Sequence, residues 1–350
     1  MTYYAGKKSY VGIKKQAVAG TAEVAPAIYI ATEEWPSLKM ETPNYYAKEF
    51  RAAMGGIQNV YRKSNLKSSG SIVAPAYTNL LSYGFYGVLG TVGTTGDATG
   101  YIHTCTAAAA TLPIWTVHKG YDTVNMEKYR DLTMKSIALN FEAGERIKAT
   151  IDFEGGPVDI ATASTGAAAT YTALRPLDYA DVAINLGTST SDCDIESMDL
   201  TIGRAPVFGK TMCTGNTAWN ANMVLPTDVV AEGSFTMLFS GYTDYELWLG
   251  AAAATTVLTD TYDRTTSDQT LTITITSTGK HIGAGTVHDK LVLTIPEILY
   301  DDAQIDPTWD DKVRVTFNWK AVHNATAETA VAGTGTVKAQ VTSEVVDPSA

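Results

Sequence analysis

The sequence predicts a mainly β protein with two tandem β-sandwich or open-barrel domains, each carrying a short flanking helix and a long arm. Three observations predict it. Short stretches alternate apolar and polar residues with a period of two, which places each apolar set on one face of a sheet. Composition favours strands and turns: Thr, Val, Ile and Tyr are abundant, 29 Gly and 12 Pro punctuate the chain, and only 18% of residues are charged. The two halves of the chain also repeat one order of elements.

Taken in order, residues 1–25 read as an N-terminal arm. Met1 to Gln16 mixes Lys7, Lys8, Lys14 and Lys15 with polar residues and lacks the apolar core of a signal peptide. A strand is expected from Ala27 to Thr32. The piece from Glu41 to Ser69 is polar and irregular for its length, and loops this long inside a compact domain are usually functional or reach a neighbour. It is the basic part of an acidic chain, with Lys48, Arg51, Arg62, Lys63 and Lys67 interleaved among Tyr45, Tyr46, Phe50 and Tyr61. Such a mixture suits a protein interface, so these nine residues are expected to form an inter-subunit arm. Asn79 can cap a helix from Leu80 to about Leu89, stopped at Gly90, although Gly84 and Gly87 disfavour it.

The stretch from Thr91 to Tyr121, rich in Gly, Ala and Thr, reads as an insert. Alternating strands follow at Ile137–Phe141 and Ile147–Phe153. Ala161 to Thr170 consists of small residues with no apolar period and reads as a linker, with a domain boundary near Thr165. Thr201 to Glu232 is a second long irregular piece, and Asp244 can cap a short helix from Tyr245 to Leu249. Alternation returns at Leu271–Ile275, Leu291–Ile295 and Val313–Trp319. The expected organisation is an N-terminal arm (1–25), a first β domain (26–165), a second β domain (166–325) and a C-terminal tail (326–350).

The repeat emerges when the halves are laid against each other. Ser37-Leu38-Lys39-Met40 faces Ser197-Met198-Asp199-Leu200, an offset of 160 from 37 to 197. Gly70-Ser71-Ile72 faces Gly233-Ser234-Phe235, an offset of 163 from 70 to 233, and Tyr77-Thr78-Asn79 faces Tyr242-Thr243-Asp244, an offset of 165 from 77 to 242. Glu145 to Phe153 faces Asp311 to Trp319, an offset of 166 from 145 to 311. Order and spacing survive through all four matches, with small insertions, which favours duplication.

At 350 residues with 45% hydrophobic content the chain can bury a core in each of two domains. No apolar run approaches the roughly 20 residues that cross a bilayer. A net charge of −11 argues against a protein that grips nucleic acid through its phosphates. Cys105, Cys193 and Cys213 lie far apart without a CxxC pair and read as buried thiols rather than a zinc ribbon or disulfide framework.

Signals for chemistry are few. His281 and His288 share one Gly-rich segment without an HExxH helix. Asp301 to Asp311 is acidic but lacks the glycine and terminal glutamate of a calcium loop, so it reads as a solvated turn. Ser64-Asn65-Leu66-Lys67 formally fits SxxK without its companion motifs. Gly90 to Gly96 has the wrong spacing for a dinucleotide or phosphate loop and reads as a flexible loop. Of the six tryptophans, Trp248 and Trp319 sit on apolar periods and read as core rather than sugar platforms. No catalytic residue, cofactor or metal site is expected.

The opening Gly6-Lys7-Lys8-Ser9-Tyr10-Val11-Gly12-Ile13-Lys14-Lys15-Gln16-Ala17-Val18-Ala19-Gly20-Thr21, the strand after it and the long arm containing Arg51 resemble the start of bacteriophage tail tube proteins. The order strand, arm, Gly-Ser strand, short helix, loop, alternating strands is similar to the tail tube domain. The resemblance implies a small sandwich or open barrel flanked by a helix. Subunits would join their inner sheets into a continuous barrel around a lumen, and the arm would pack on the next subunit or ring. Members with one such domain form hexameric rings and those with two can form trimers that mimic a hexamer, so trimeric pseudo-hexameric or hexameric rings are expected here. The 91–121 insert and the greater length depart from single-domain members.

The resemblance thus implies a structural virion protein, assembled in the host cytoplasm, that stacks rings into a channel for DNA passage. Its partners would be itself, the tail tip or baseplate, the tape measure and the tail terminator, with DNA passing transiently and no membrane involved. A negative lumen would repel DNA within a Debye length, roughly 8 Å at physiological salt. The alternatives are another phage structural protein, such as a capsid decoration or baseplate subunit, or a carbohydrate-binding β protein.

Overall fold

The computed structural model describes residues 9–41, 44–47, 59–62, 67–97, 100–108, 110–121, 125–161, 171, 176–187, 194–208, 224–239, 269–281, 287–307 and 312–350. The linker centred on Thr165 and the helix expected at Tyr245–Leu249 lie outside them. In chain order the first strands are β1 (Tyr10–Lys15), β2 (Ile28–Ile30), β3 (Lys39–Glu41), β4 (Asn44–Ala47), β5 (Asn59–Arg62) and β6 (Lys67–Pro75). Helix α1 (Thr78–Leu89) leads into β7 (Gly90–Asp97), β8 (Gly100–Ala107), β9 (Trp115–Tyr121), β10 (Asn125–Glu142), β11 (Lys148–Gly155) and β12 (Val158–Ala161). Next come β13 (Val182–Leu186), β14 (Ile195–Gly203), β15 (Val207–Phe208), β16 (Val224–Leu225) and β17 (Val230–Leu238). The chain continues through β18 (Gln269–His281), β19 (His288–Asp306), β20 (Arg314–Ala321), helix α2 (Ala325–Ala330) and β21 (Lys338–Ser343). The protein is mainly β, as the period-two alternation predicts.

Strands β10 and β19, at 18 and 19 residues, carry the architecture. They are about three times the usual strand length, and a strand that long must bend to stay in a twisted sheet. Each bends at a bulge. Lys135 is skipped in the register of β10 with β11, and Asp301 in that of β19 with β20. The first part of each long strand therefore serves one sheet and the last part another.

The last parts lie in a main sheet ordered β3-β6-β11-β10-β14-β17-β20-β19, antiparallel throughout. One face is dry: Ile72, Ile151, Ile137, Ile202 and Ala231 form a cross-strand row, all buried. Within this sheet two strand sets share one pairing scheme. Ile72, Ile151 and Ile137 line up across β6, β11 and β10, while Phe235, Phe317 and Ala303, respectively 163, 166 and 166 residues later, line up across β17, β20 and β19. The bulges at Lys135 and Asp301 are also 166 residues apart.

The register of β3 on β6 carries Leu38 opposite Gly70, whereas Leu200 stands opposite Gly233. Leu38 and Leu200 are 162 residues apart, so the ladders shift the 160-residue offset read from the serines by two. A shift of two keeps every side chain on its own face, so the pattern alone could not expose it.

Outside the main sheet, β2-β1-β9 continues onto the first part of β10, which also takes β12. The first part of β19 lies between β18, backed by β13, and β21, which in turn pairs β8 and through it β7. Residues 90–97 are thus one strand of a hairpin and not a flexible loop. The 91–121 segment supplies sheet edges that the C-terminal segment completes. Val337, Ala339 and Val341 of that segment are fully buried.

Helix α1 is buried along its whole length, with Tyr83 and Tyr86 edge-on to Trp115 at 5.8 Å each. Glycines that disfavour a helix are what let this one lie on the sheet. A Cβ at Gly87 would stand 2.1 Å from Met134 Sδ, and one at Gly84 2.9 Å from Ile137 Cδ1. The helix stops at Gly90 in the left-handed conformation, as expected. Asn79 does not cap it: Tyr77 holds the cap position without a side-chain bond, and Asn79 lies inside the first turn. Thr78 instead donates to Asp289 Oδ1 at 2.8 Å, tying the helix start to β19. For a buried helix, tertiary packing sets the start more strongly than a local cap. At the other end the buried Arg204 donates to the carbonyls of Leu89, Ala108 and Thr227 at 3.0, 2.9 and 2.8 Å. A cation at a helix C-terminus is favourable, and its fork also anchors the chain beyond β14.

Two predictions follow from this packing. Gly70 has φ +151, and a Cβ there would lie 2.4 Å from Leu38 Cα. Gly70→Ala should destabilise the protein by about 1–3 kcal/mol in denaturant titrations, because backbone must move to admit it. On β9, His118 is fully buried with neither ring nitrogen hydrogen-bonded. Burial, then the Lys128 charge, pull its pKa down to about 4, with Glu23 opposing. A depressed pKa means stability present above the unfolded value of about 6.5 and lost as pH falls toward 4, amounting to about 3 kcal/mol. His118→Phe should flatten that part of the stability-pH curve.

Candidate functional site

The residues expected to form the first arm lie on a β ribbon that leaves the main sheet. β3 and the start of β6 form its root, and β4 pairs β5 beyond it. Tyr45 stands opposite Tyr61, Tyr46 opposite Val60 and Asn44 opposite Arg62. Lys48, Phe50, Arg51 and Lys63 lie outside the described residues. Lys67 sits at the root and binds Glu154 Oε1 at 2.5 Å, so it belongs to the sheet face.

The piece from Thr201 to Glu232 is built the same way. β14 and β17 pair as far as Gly203 and Val230, and β15 pairs β16 beyond them, with Val207 opposite Leu225. Both of those apolar side chains are more than half exposed, at 54% and 58%, as is Val230 at 52%. Val207 and Leu225 thus form an exposed apolar cross-strand pair. Sequence reading called these two pieces irregular because ribbons with polar sides carry no apolar alternation.

The second feature is the wet face of the main sheet. Alternation sends Lys148, Thr150, Asp152 and Glu154 of β11 to this face, and Arg314, Thr316, Asn318 and Lys320 of β20 likewise. Its hydrogen bonds run across strands: Ser136 donates to Asp152 at 2.6 Å, Asn140 to Asp199 at 2.6 Å, and the Thr236 and Thr316 hydroxyls meet at 2.9 Å. Four of its cations are tied to carboxylates, while Lys148 and Lys39 stand exposed. Glu154 holds Lys67 and Lys135 at 2.5 and 3.0 Å, Arg314 reaches Glu196 at 2.6 Å, and Lys320 reaches Asp301 at 2.6 Å. Burial pushes the Glu154 carboxyl up, but the hydrogen bonds and charges of the two lysines outweigh it and hold its pKa below the ordinary carboxylate range. The face is a carpet of hydroxyls, amides and carboxylates with lysines pinned between them. Glu154, Lys135 and Asp199 were not singled out in the sequence; their only signal was a polar place in an alternating strand.

The remaining sequence signals disperse. His281 and His288 stand opposite each other across β18 and β19, but no group of three or more metal-binding side chains occurs among the described residues. Ser64 lies outside the described residues, leaving SxxK without a described nucleophile. Asp301 and Asp302 are exposed at the end of β19. Cys105 is buried, and burial pushes its thiol pKa far up. Cys193 and Cys213 lie outside the described residues. Trp319 is core, Trp35 is 43% exposed, and Trp248 is outside the described residues. No described helix is long and apolar enough to cross a membrane.

A search of curated proteins found no match to this chain. A protein-family model described as "Phage tail tube protein" matches residues 6–321, nearly the whole chain. That span contains both ribbons and the complete main sheet. The chain therefore belongs to the phage tail tube protein family.

Proposed function

We propose that this tail tube protein assembles into stacked rings around a DNA-conducting channel. Each ring holds three chains, whose halves, residues 26–165 and 166–325, act as equivalent tube units of a pseudo-hexamer. The observation that carries this reading is the main sheet, in which two strand sets repeat in order and register and bend at bulges 166 residues apart. A sheet with unpaired edges is a template for another chain, and cyclic assembly satisfies those edges by closure. The wet face then lines the lumen. Four of its cations are neutralised locally, which lowers its attraction for passing phosphates.

The two ribbons reach between rings, supported by the exposed Val207–Leu225 pair on the second and by the tyrosines and basic residues of the first. The protein's place is the virion tail, after assembly in the host cytoplasm. Its partners are itself, the tail tip or baseplate, the tape measure and the tail terminator, with DNA in transit.

Negative-stain microscopy of the purified protein should show rings or hollow tubes with threefold end views. Monodisperse particles without a lumen, even on a tail-tip template, would refute the tube reading. Deleting residues 48–58 should leave rings and abolish stacking, and normal tubes from that variant would remove the first ribbon from the ring-to-ring contact. Glu154→Gln unpins Lys67 and Lys135 and should raise DNA retention by assembled tubes about three- to tenfold at low salt in mobility-shift assays. Unchanged retention would place that face away from the channel.

A further inference from the structure

We propose that two copies of this chain join edge to edge, residues 37–41 of one running antiparallel to residues 302–306 of the other, in the register that sets Lys39 opposite Gln304. This rests on the ring reading above and specifies the junction that closes the ring.

The chain carries its own template for that junction. Residues 136–142 of β10 pair residues 197–203 of β14, with Ala138 opposite Thr201 and Leu139 opposite Leu200. The segment 136–140 has a counterpart in 302–306. Ser136 faces Asp152 of β11 just past one bulge, and Asp302 faces Asn318 of β20 just past the other. The segment 199–203 has a counterpart in 37–41, since each pairs the strand that returns from its ribbon, with Gly233 facing Leu200 and Gly70 meeting Leu38. Inside the chain, the first counterpart of each kind is covered by the other. Among the described residues, neither the second side of 302–306 nor that of β3 carries a ladder. The sheet thus ends on each side where its own midpoint shows a continuation.

Transferring the internal register gives a junction whose two faces agree. Leu139–Leu200 becomes Ile305–Leu38, and Ile137–Ile202 becomes Ala303–Met40, all on the dry side. Ala138–Thr201 becomes Gln304–Lys39 on the wet side, where both residues are exposed in the single chain. A slip of one residue would set Ile305 against Lys39, so the pattern selects this register. Lys39 then lies diagonally between Asp302 and Asp306, within reach of a long side chain, and the register sets Glu41 opposite Asp302, so one lysine stands among three carboxylates. In the internal junction Asn140, the counterpart of Asp306, donates to Asp199, and no lysine takes part. The contact between chains is therefore the more highly charged, and salt acts on it more strongly. In the single chain the Leu38 carbonyl accepts Lys119 Nζ at 2.9 Å and Tyr129 OH at 3.1 Å, and the incoming strand replaces one of these donors.

Residues directly opposed across antiparallel strands have Cα atoms about 4.5–5.5 Å apart, inside disulfide range, whereas diagonal neighbours fall outside it. The Lys39→Cys/Gln304→Cys double variant, mildly oxidised after assembly, should lose its monomer band on non-reducing gels to a reducible ladder ending at the ring size. Glu41→Cys/Gln304→Cys and the unsubstituted chain should stay largely monomeric. Preferential crosslinking of the shifted pair, or rings on micrographs with no crosslink in the 39/304 pair, overturns the junction while leaving the tube reading standing. Absence of both rings and crosslinks removes both. Lys39→Glu should block ring formation and Lys39→Glu/Gln304→Lys should restore it; rings that form unimpaired with Lys39→Glu alone would count against the register.

Discussion

Backbone N–H and C=O groups that leave water must find partners, and in this chain two strands of unusual length govern how that requirement is met. β10 and β19 are each long enough to need partners in two directions, and the bulges at Lys135 and Asp301 turn them from one sheet into another. The main sheet, the outer sheets and the position of α1 between them follow from that turn. Gly84 and Gly87 let the helix approach β10 closely, and Arg204 ties the helix end to the chain beyond β14. The β4–β5 and β15–β16 ribbons are two-stranded sheets of their own.

Much of this was legible in the sequence where a single element sufficed. The alternations at Ile137–Phe141, Ile147–Phe153, Leu271–Ile275, Leu291–Ile295 and Val313–Trp319 all lie within or along observed strands, because one wet and one dry face leave a period-two record. The helix and its stop at Gly90 were legible too. The Asn79 cap was not, because a helix buried on every side answers to Thr78 and Asp289 rather than to its own first turn. The partnership of β8 with β21 joins positions more than two hundred residues apart and has no periodic trace. That the ladders set Leu38 and Leu200 in similar places, opposite Gly70 and Gly233, was hidden for a different reason, since a shift of two conserves the face of every side chain.

Of the residues expected in the first arm, Tyr45, Tyr46, Tyr61 and Arg62 fall on the β4–β5 ribbon. Composition named the basic stretch but could not separate Lys67, which is held by Glu154 at the root, from residues further out. Nor could a net charge of −11 locate itself. On the wet face Lys67, Lys135 and Lys320 are matched to carboxylates, and matching two lysines to one carboxylate needs the three-dimensional register of β6, β10 and β11. A face built this way limits attraction for a polyanion without the self-repulsion of a purely acidic surface.

The place of β21 bears on how the protein is made. This strand sits between β8 and β19, and its partner β8 is finished more than two hundred residues earlier. Until it emerges, the β7–β8 hairpin has no second strand to lean on, and the layer over the second half stays incomplete. Folding therefore cannot finish half by half as the chain leaves the ribosome: the β8–β21 ladder closes only after more than two hundred intervening residues have been made, and contacts of such long sequence separation form slowly.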